Sequence, residues 1–139
     1  MQNIITKLGT VLLVFNLISC ASGNLTVIQR SGGNILKSEY SDSMGETEVT
    51  VTMPDKEILK GTLIWIPPNS NLGTVLVANN AGGQAFGTGI SSGNKGMYIG
   101  TIVGNNGTTM RIELLCNTWT GKCVGSGQSN MGEIYDIQR

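Results

Sequence analysis

The stretch TEVTVTM, residues 47 to 53, alternates polar and apolar side chains without a break. Val49, Val51 and Met53 fall on one side of an extended chain, and Glu48, Thr50 and Thr52 on the other. This period of two marks a strand with one face buried. Pro54-Asp55 ends it. Downstream, EILKGTLIWI (57 to 66) is apolar on both parities at its end. Leu63, Ile64, Trp65 and Ile66 are therefore predicted to lie in a central, well-covered part of the sheet. Pro67-Pro68-Asn69 makes the stop.

Four more strands follow at turn-punctuated intervals: GTVLVA (73 to 78), QAFGTGI (84 to 90), GMYIGTIV (96 to 103) and TTMRIELLC (108 to 116). Asn106-Gly107 is the preferred pair for a type I′ hairpin turn, because both positions must accept positive φ. On the last of these strands Met110, Ile112, Leu114 and Cys116 share one face. GKCVGSG and GEIYDIQ (132 to 138) complete the series, with Tyr135 and Ile137 predicted inward. Upstream, LTVIQ (25 to 29) and NILKSEY (34 to 40) form a hairpin around Ser31-Gly32-Gly33, and SDSMGE (41 to 46) reads as loop.

The pair Gly-Thr recurs at 61, 73, 87, 100 and 107, too unevenly for a solenoid but suited to an antiparallel meander bent by glycine. The 139 residues hold one domain. The predicted fold is all-β, an antiparallel meander of about eight strands forming a small barrel or a two-layer sandwich, and the glycines within strands favour the barrel.

Composition narrows the chemistry. Charged residues make up 13% of the chain, the net charge is zero and Lys and Arg are scattered singly, so no basic field exists to attract nucleic acid. With no histidine there is no Ser-His or Cys-His nucleophile pair, and the commonest metal ligand is missing. GTGISSG (87 to 93) has neither the spacing nor the following helix of a dinucleotide-binding turn. Glu133 and Asp136, three apart on a strand, point to opposite faces and make no acid/base couple. The expectation is a protein without catalysis, cofactor or metal.

The amino-terminal residues carry an address. Lys7 is followed by an apolar run from Leu8 to Leu17, shorter than the roughly 20 residues a spanning helix needs. A basic start, an apolar middle and small residues next is the order of a secretory signal peptide. The stretch LISC, with Leu17, Ser19 and Cys20 in the characteristic places, resembles the lipobox of bacterial lipoproteins. The resemblance implies a signal peptide over 1 to 19, cleavage before Cys20 and attachment of diacylglyceryl and further acyl chains such as palmitate to that residue. Each buried methylene contributes about 0.8 kcal/mol, so two or three chains hold the protein at a membrane. Ala21 is not the Asp that retains such proteins in an inner membrane, which implies a cell-envelope protein at the outer membrane. Residues 20 to 24 are then the lipidated cysteine and a short polar tether, and 25 to 139 the single β domain. The closing pattern, a cysteine, a glycine-rich hairpin, a second cysteine and then GEIYDIQ, looks like the ends of small bacterial lipoproteins and names no activity.

With Cys20 assigned to lipid, Cys116 and Cys123 remain, in a compartment that permits disulfides. In CNTWTGKC their spacing is too wide for a thioredoxin-type pair, and no further Cys or His offers a zinc site. Facing positions on two strands joined by a short connection bring them within disulfide reach. Trp119 stands in that connection. It has two readings: the anchor of an interface with a partner, or a cap folded over the open end of the barrel.

The functional expectation is a lipid-anchored, non-enzymatic module that binds an envelope or surface protein, as an accessory to assembly at a membrane or secretion machine. The alternative is an inhibitor, immunity or surface-exclusion lipoprotein. An envelope hydrolase using carboxylates trails both.

Overall fold

The alternation at residues 47 to 53 recurs around a closed wall. The structure, a computed structural model, describes residues 21–69, 75–78, 84–87 and 93–139. They form β1 (Ser22–Asn24), β2 (Thr26–Gln29), β3 (Ile35–Ser43), β4 (Glu46–Thr52), β5 (Ile58–Ile66), β6 (Val75–Ala78), β7 (Gln84–Gly87), β8 (Lys95–Gly104), β9 (Thr109–Asn117), β10 (Cys123–Ser129) and β11 (Ile134–Gln138).

Every pairing is antiparallel. Strands β2, β3, β4, β5, β8, β9, β10 and β11 each pair with the next, and β11 pairs back onto β2, so eight strands close into an up-and-down barrel. Closure leaves no free edge along this ring. Strand β1 extends the line of β2 along β3 in the same register, Ser22 facing Ser41 and Val27 facing Leu36. Between them the Leu25 carbonyl accepts a hydrogen bond from Ser38 Oγ. Ser22–Asn24, read from the sequence as tether, is thus a ninth strand laid on the wall. Two predicted strands stand outside the ring, because β5 pairs directly with β8 through Ile64–Ile99 and Ile66–Met97 and leaves no edge for them. Strands β6 and β7 instead pair with each other within the connection between β5 and β8.

The interior is built from the predicted inward faces. Val49, Val51, Met110, Ile112 and Ile137 are fully buried, and Met53, Leu114 and Tyr135 nearly so. An eight-stranded ring is just wide enough for side chains to fill it. The end of β5 departs from the expectation of full coverage. Leu63 and Ile66 are buried, Trp65 points inward and is half-buried, but Ile64 points outward and is 43% exposed. Alternation holds through Trp65 and breaks at Ile66, which is buried on the outward parity.

Two turns also differ from the sequence reading. SDSMGE is not a loop: β3 and β4 run on until Ser43 faces Glu46, leaving Met44 and Gly45 as a two-residue turn. Both have positive φ, 47° and 88°, the type I′ geometry that continues strand twist. Asn106-Gly107 does not adopt that geometry. Asn105 joins the loop, Gly104 N–H donates to the Thr108 carbonyl at 2.8 Å, and Gly107 alone takes positive φ. Glycine lets two neighbouring strands of the wall come close together. A Cβ on Gly61 would lie 2.6 Å from the Thr101 carbonyl oxygen, and one on Gly100 2.5 Å from that of Thr62, so β5 and β8 approach more closely there than side chains allow.

Candidate binding surface

An antiparallel meander returns every second connection to the same end. One rim, here called upper, carries the start of β1, the Met44-Gly45 turn, the 67–94 connection, the 118–121 turn and the end of β11. The lower rim carries the turns at 30–34, 53–57, 105–108 and 130–133.

On the upper rim Cys116 faces Cys123, with Cα atoms 4.0 Å apart, and the two form the disulfide on the core side of the wall. Beyond it the chain is held at nearly every residue. Asn117 N–H donates to the Lys122 carbonyl, and Gly121 N–H to that of Asn117, each at 2.9 Å. The Asn117 side-chain oxygen accepts from Trp119 N–H at 2.9 Å and Thr120 N–H at 3.2 Å. Thr118 reaches across the rim, its N–H and its hydroxyl both donating to the Asn94 carbonyl at 2.9 Å. Gly121, at φ 68°, completes the reversal. On this fixed turn the Trp119 side chain is 80% exposed. Trp119 does not cap the barrel.

The mouth is filled from other positions. Trp65 and Tyr98 face each other across β5 and β8 with ring centroids 4.7 Å apart. Gly96 makes room for the indole, since a Cβ there would lie 2.1 Å from it. Arg139 extends over the Tyr40 ring, 4.0 Å from its centroid, and pairs with Asp42. Burial opposes its charge, but hydrogen bonds to Asp42 and Tyr40 outweigh that and hold its pKa above the ordinary arginine value. A cleft of about 230 Å³ remains between Trp65, Tyr98, Asn117, Thr118 and Arg139.

Below the Trp119 turn, the outer wall carries an apolar row that sequence reading missed. Val124 (58% exposed) faces Leu115 (36%), Leu115 faces the half-buried Met97, and Met97 faces Ile66, which is buried. The signal was present as paired apolar neighbours, Leu114-Leu115 and Ile64 to Ile66, in otherwise alternating strands. Trp119 and the Val124–Leu115 end of this row together offer one exposed aromatic and a small exposed apolar patch.

The carboxylates near β11 are occupied. Asp136 pairs with Arg30, which holds its pKa below the ordinary value, and Glu133 accepts from Ser31 and Gln29 with the same effect. Among the described residues no group of three or more His, Cys, Asp or Glu is placed to hold a metal. Cys20 lies outside the described residues. Compared with known protein families, curated proteins and solved structures, the chain matches none.

Proposed function

We propose that this chain is a lipid-anchored protein of the cell envelope, held by acylated Cys20, that works by binding a protein partner rather than by catalysis. The observation that carries the reading is Trp119, an exposed indole on a turn already fixed by a disulfide and by the Asn117 side chain. Tryptophan is enriched among interface anchors. A turn ordered before binding loses little conformational freedom on association, so more of the contact energy appears as affinity. Val124, on the strand that leaves the same turn, and Leu115 facing it add exposed apolar area that one side chain lacks. The LISC motif supports the envelope address.

Two variants test the two halves. Changing Cys20→Ser should release the protein from the membrane fraction or trap it as precursor; unchanged fractionation and maturation would remove the anchor. Trp119→Ala should abolish recovery of the partner from solubilised membranes, an anchor being worth about 2 kcal/mol or more, while the melting temperature barely moves. Trp65→Ala supplies the reference for core loss, roughly 3 kcal/mol for an inward aromatic. If Trp119→Ala melts like Trp65→Ala, or still recovers the partner fully, the interface reading fails. The recovered protein also separates an assembly accessory from an inhibitor or exclusion protein, whose target would be an incoming enzyme or receptor.

A further inference from the structure

We infer that the Met44 turn enters the bilayer beside the lipid anchor, an inference that rests on acylation of Cys20. Met44 is the most exposed large apolar residue among those described, at 102%, so it packs on nothing in the barrel. Its backbone is in the left-handed region at φ 47°, where a methionine is strained and asparagine or glycine is not. Neither exposure nor strain serves the fold. The position explains both. Ser22 faces Ser41, and the Asp42 N–H donates to the Ala21 carbonyl at 2.7 Å, so the chain leaves the wall two residues from Met44. Cys20 is the next residue, its Cα about 3.8 Å from that of Ala21.

Because Ser22–Asn24 is a strand and not a tether, the acyl chains cannot carry the barrel far from the lipid surface. The turn beside the attachment point is then pressed into the headgroup region, where a flexible apolar side chain with no polar group to bury is favoured. Ile35 and Met131, also strongly exposed, lie at the lower rim, a full strand length away. Trp119 stands on the upper rim four strands from Met44 in either direction around the ring. With the Met44 side held down, the partner engaged by Trp119 must itself sit at the membrane.

With Cys20 acylated and Cys116 bonded to Cys123, a cysteine introduced at position 44 is the sole thiol. The mature lipidated Met44→Cys protein, labelled there with an environment-sensitive fluorophore, is reconstituted into phosphatidylethanolamine and phosphatidylglycerol vesicles. Its emission should shift to the blue and be quenched several-fold more by shallow nitroxide-labelled lipid than by aqueous iodide. Met131→Cys, labelled in the same way, should show the reverse. A probe at position 44 that iodide quenches as freely as the one at 131, in protein that floats with the vesicles, overturns the inference and leaves the anchor standing. Protein that does not float overturns both. Met44→Asn should melt above the wild type, since it relieves the turn; a lower melting temperature would mean that Met44 serves the fold, and would also overturn the inference.

Discussion

Replacing both Cys116 and Cys123 by alanine isolates what the disulfide contributes to the turn that presents Trp119. The two cysteines are separated by 7 in sequence and close a loop of eight residues. In the chain-entropy model a loop of that size contributes about 2.5 kcal/mol by constraining the unfolded chain. Both half-cystines are buried, at 4% and 2% exposure, so truncation also removes packed sulfur and brings the expected loss to about 3 kcal/mol. Unfolding entropy of about 2.1 cal/mol/K per residue over about 115 folded residues is roughly 0.24 kcal/mol/K, which converts the loss to about 12 °C in melting temperature. Thermal and urea unfolding of the oxidised protein, the reduced protein and the double variant should place the last two together and well below the first. The urea slope should rise as well, because the unfolded chain is no longer constrained. A midpoint within about 2 °C of the wild type would refute the reasoning, since the ladder from Cys116–Cys123 to Met110–Ser129 would then hold the hairpin without help. Amide exchange gives an independent reading: Trp119 and Thr120 N–H, held by the Asn117 side chain, should exchange faster once the disulfide is gone.

Gly100→Ala should destabilise by about 2 kcal/mol or more in urea unfolding, because its Cβ would meet the Thr62 carbonyl at 2.5 Å and backbone cannot rotate away; wild-type stability would mean that β5 and β8 have room to separate. Stability should fall at both extremes of pH. Glu133 and Asp136 have pKa values lowered in the fold, so the stability they contribute is present above their ordinary values of 4.5 and 3.8 and is lost as pH falls through the lower folded ones. Burial raises the pKa of Tyr135, so its contribution is present below 10.0 and is lost as pH rises through the folded value. Melting followed across pH in the wild type, Glu133→Gln and Tyr135→Phe checks both limbs, and a variant that keeps the full acid or alkaline loss would clear its residue of responsibility.

How much of this could be read in advance depended on whether a single face carried the signal. Where alternation was clean, as at Val49, Val51 and Met53 or at Met110, Ile112 and Leu114, inward residues and strand identity were both legible. The disulfide was legible because two cysteines at facing positions needed only a hairpin between them. Reading failed where one residue type fits two states. Ser, Asp and Gly favour turns, so SDSMGE looked like loop, yet Asp42 and Thr47 hydrogen-bond to each other across the strands and the reversal needs only Met44 and Gly45. GTVLVA and QAFGTGI have strand composition, but composition does not say which edge a strand will join. That was settled by direct pairing of β5 with β8. Sequence left both readings of Trp119 open and favoured the cap. Only the positions of Trp65, Tyr98 and Arg139 in the mouth decide that the barrel end is filled without it.

The placement of the candidate binding surface follows from parity alone. A chain that starts at one rim and turns back at every strand returns to that rim after two, four, six and eight strands. Insertion of β6 and β7 does not change the count, because the connection that contains them starts and ends at the same rim. Whatever lies at the start of β1 must therefore share an end with the turns after β3 and β9, which bear Met44 and Trp119. Moving either to the lower rim would require one strand more or fewer in the ring, and an odd number cannot close an up-and-down barrel with all neighbours antiparallel. The proposed anchor just before β1 would thus fix, through topology and without any contact of its own, which connections face the membrane and which face away. The lower-rim ion pairs and hydrogen bonds of Arg30, Ser31, Glu133 and Asp136 lie on the side that such an anchor would leave to solvent, where an exposed charged surface costs nothing. The apolar tips of Met44 and Trp119 lie on the rim that the proposed anchor would turn toward the membrane.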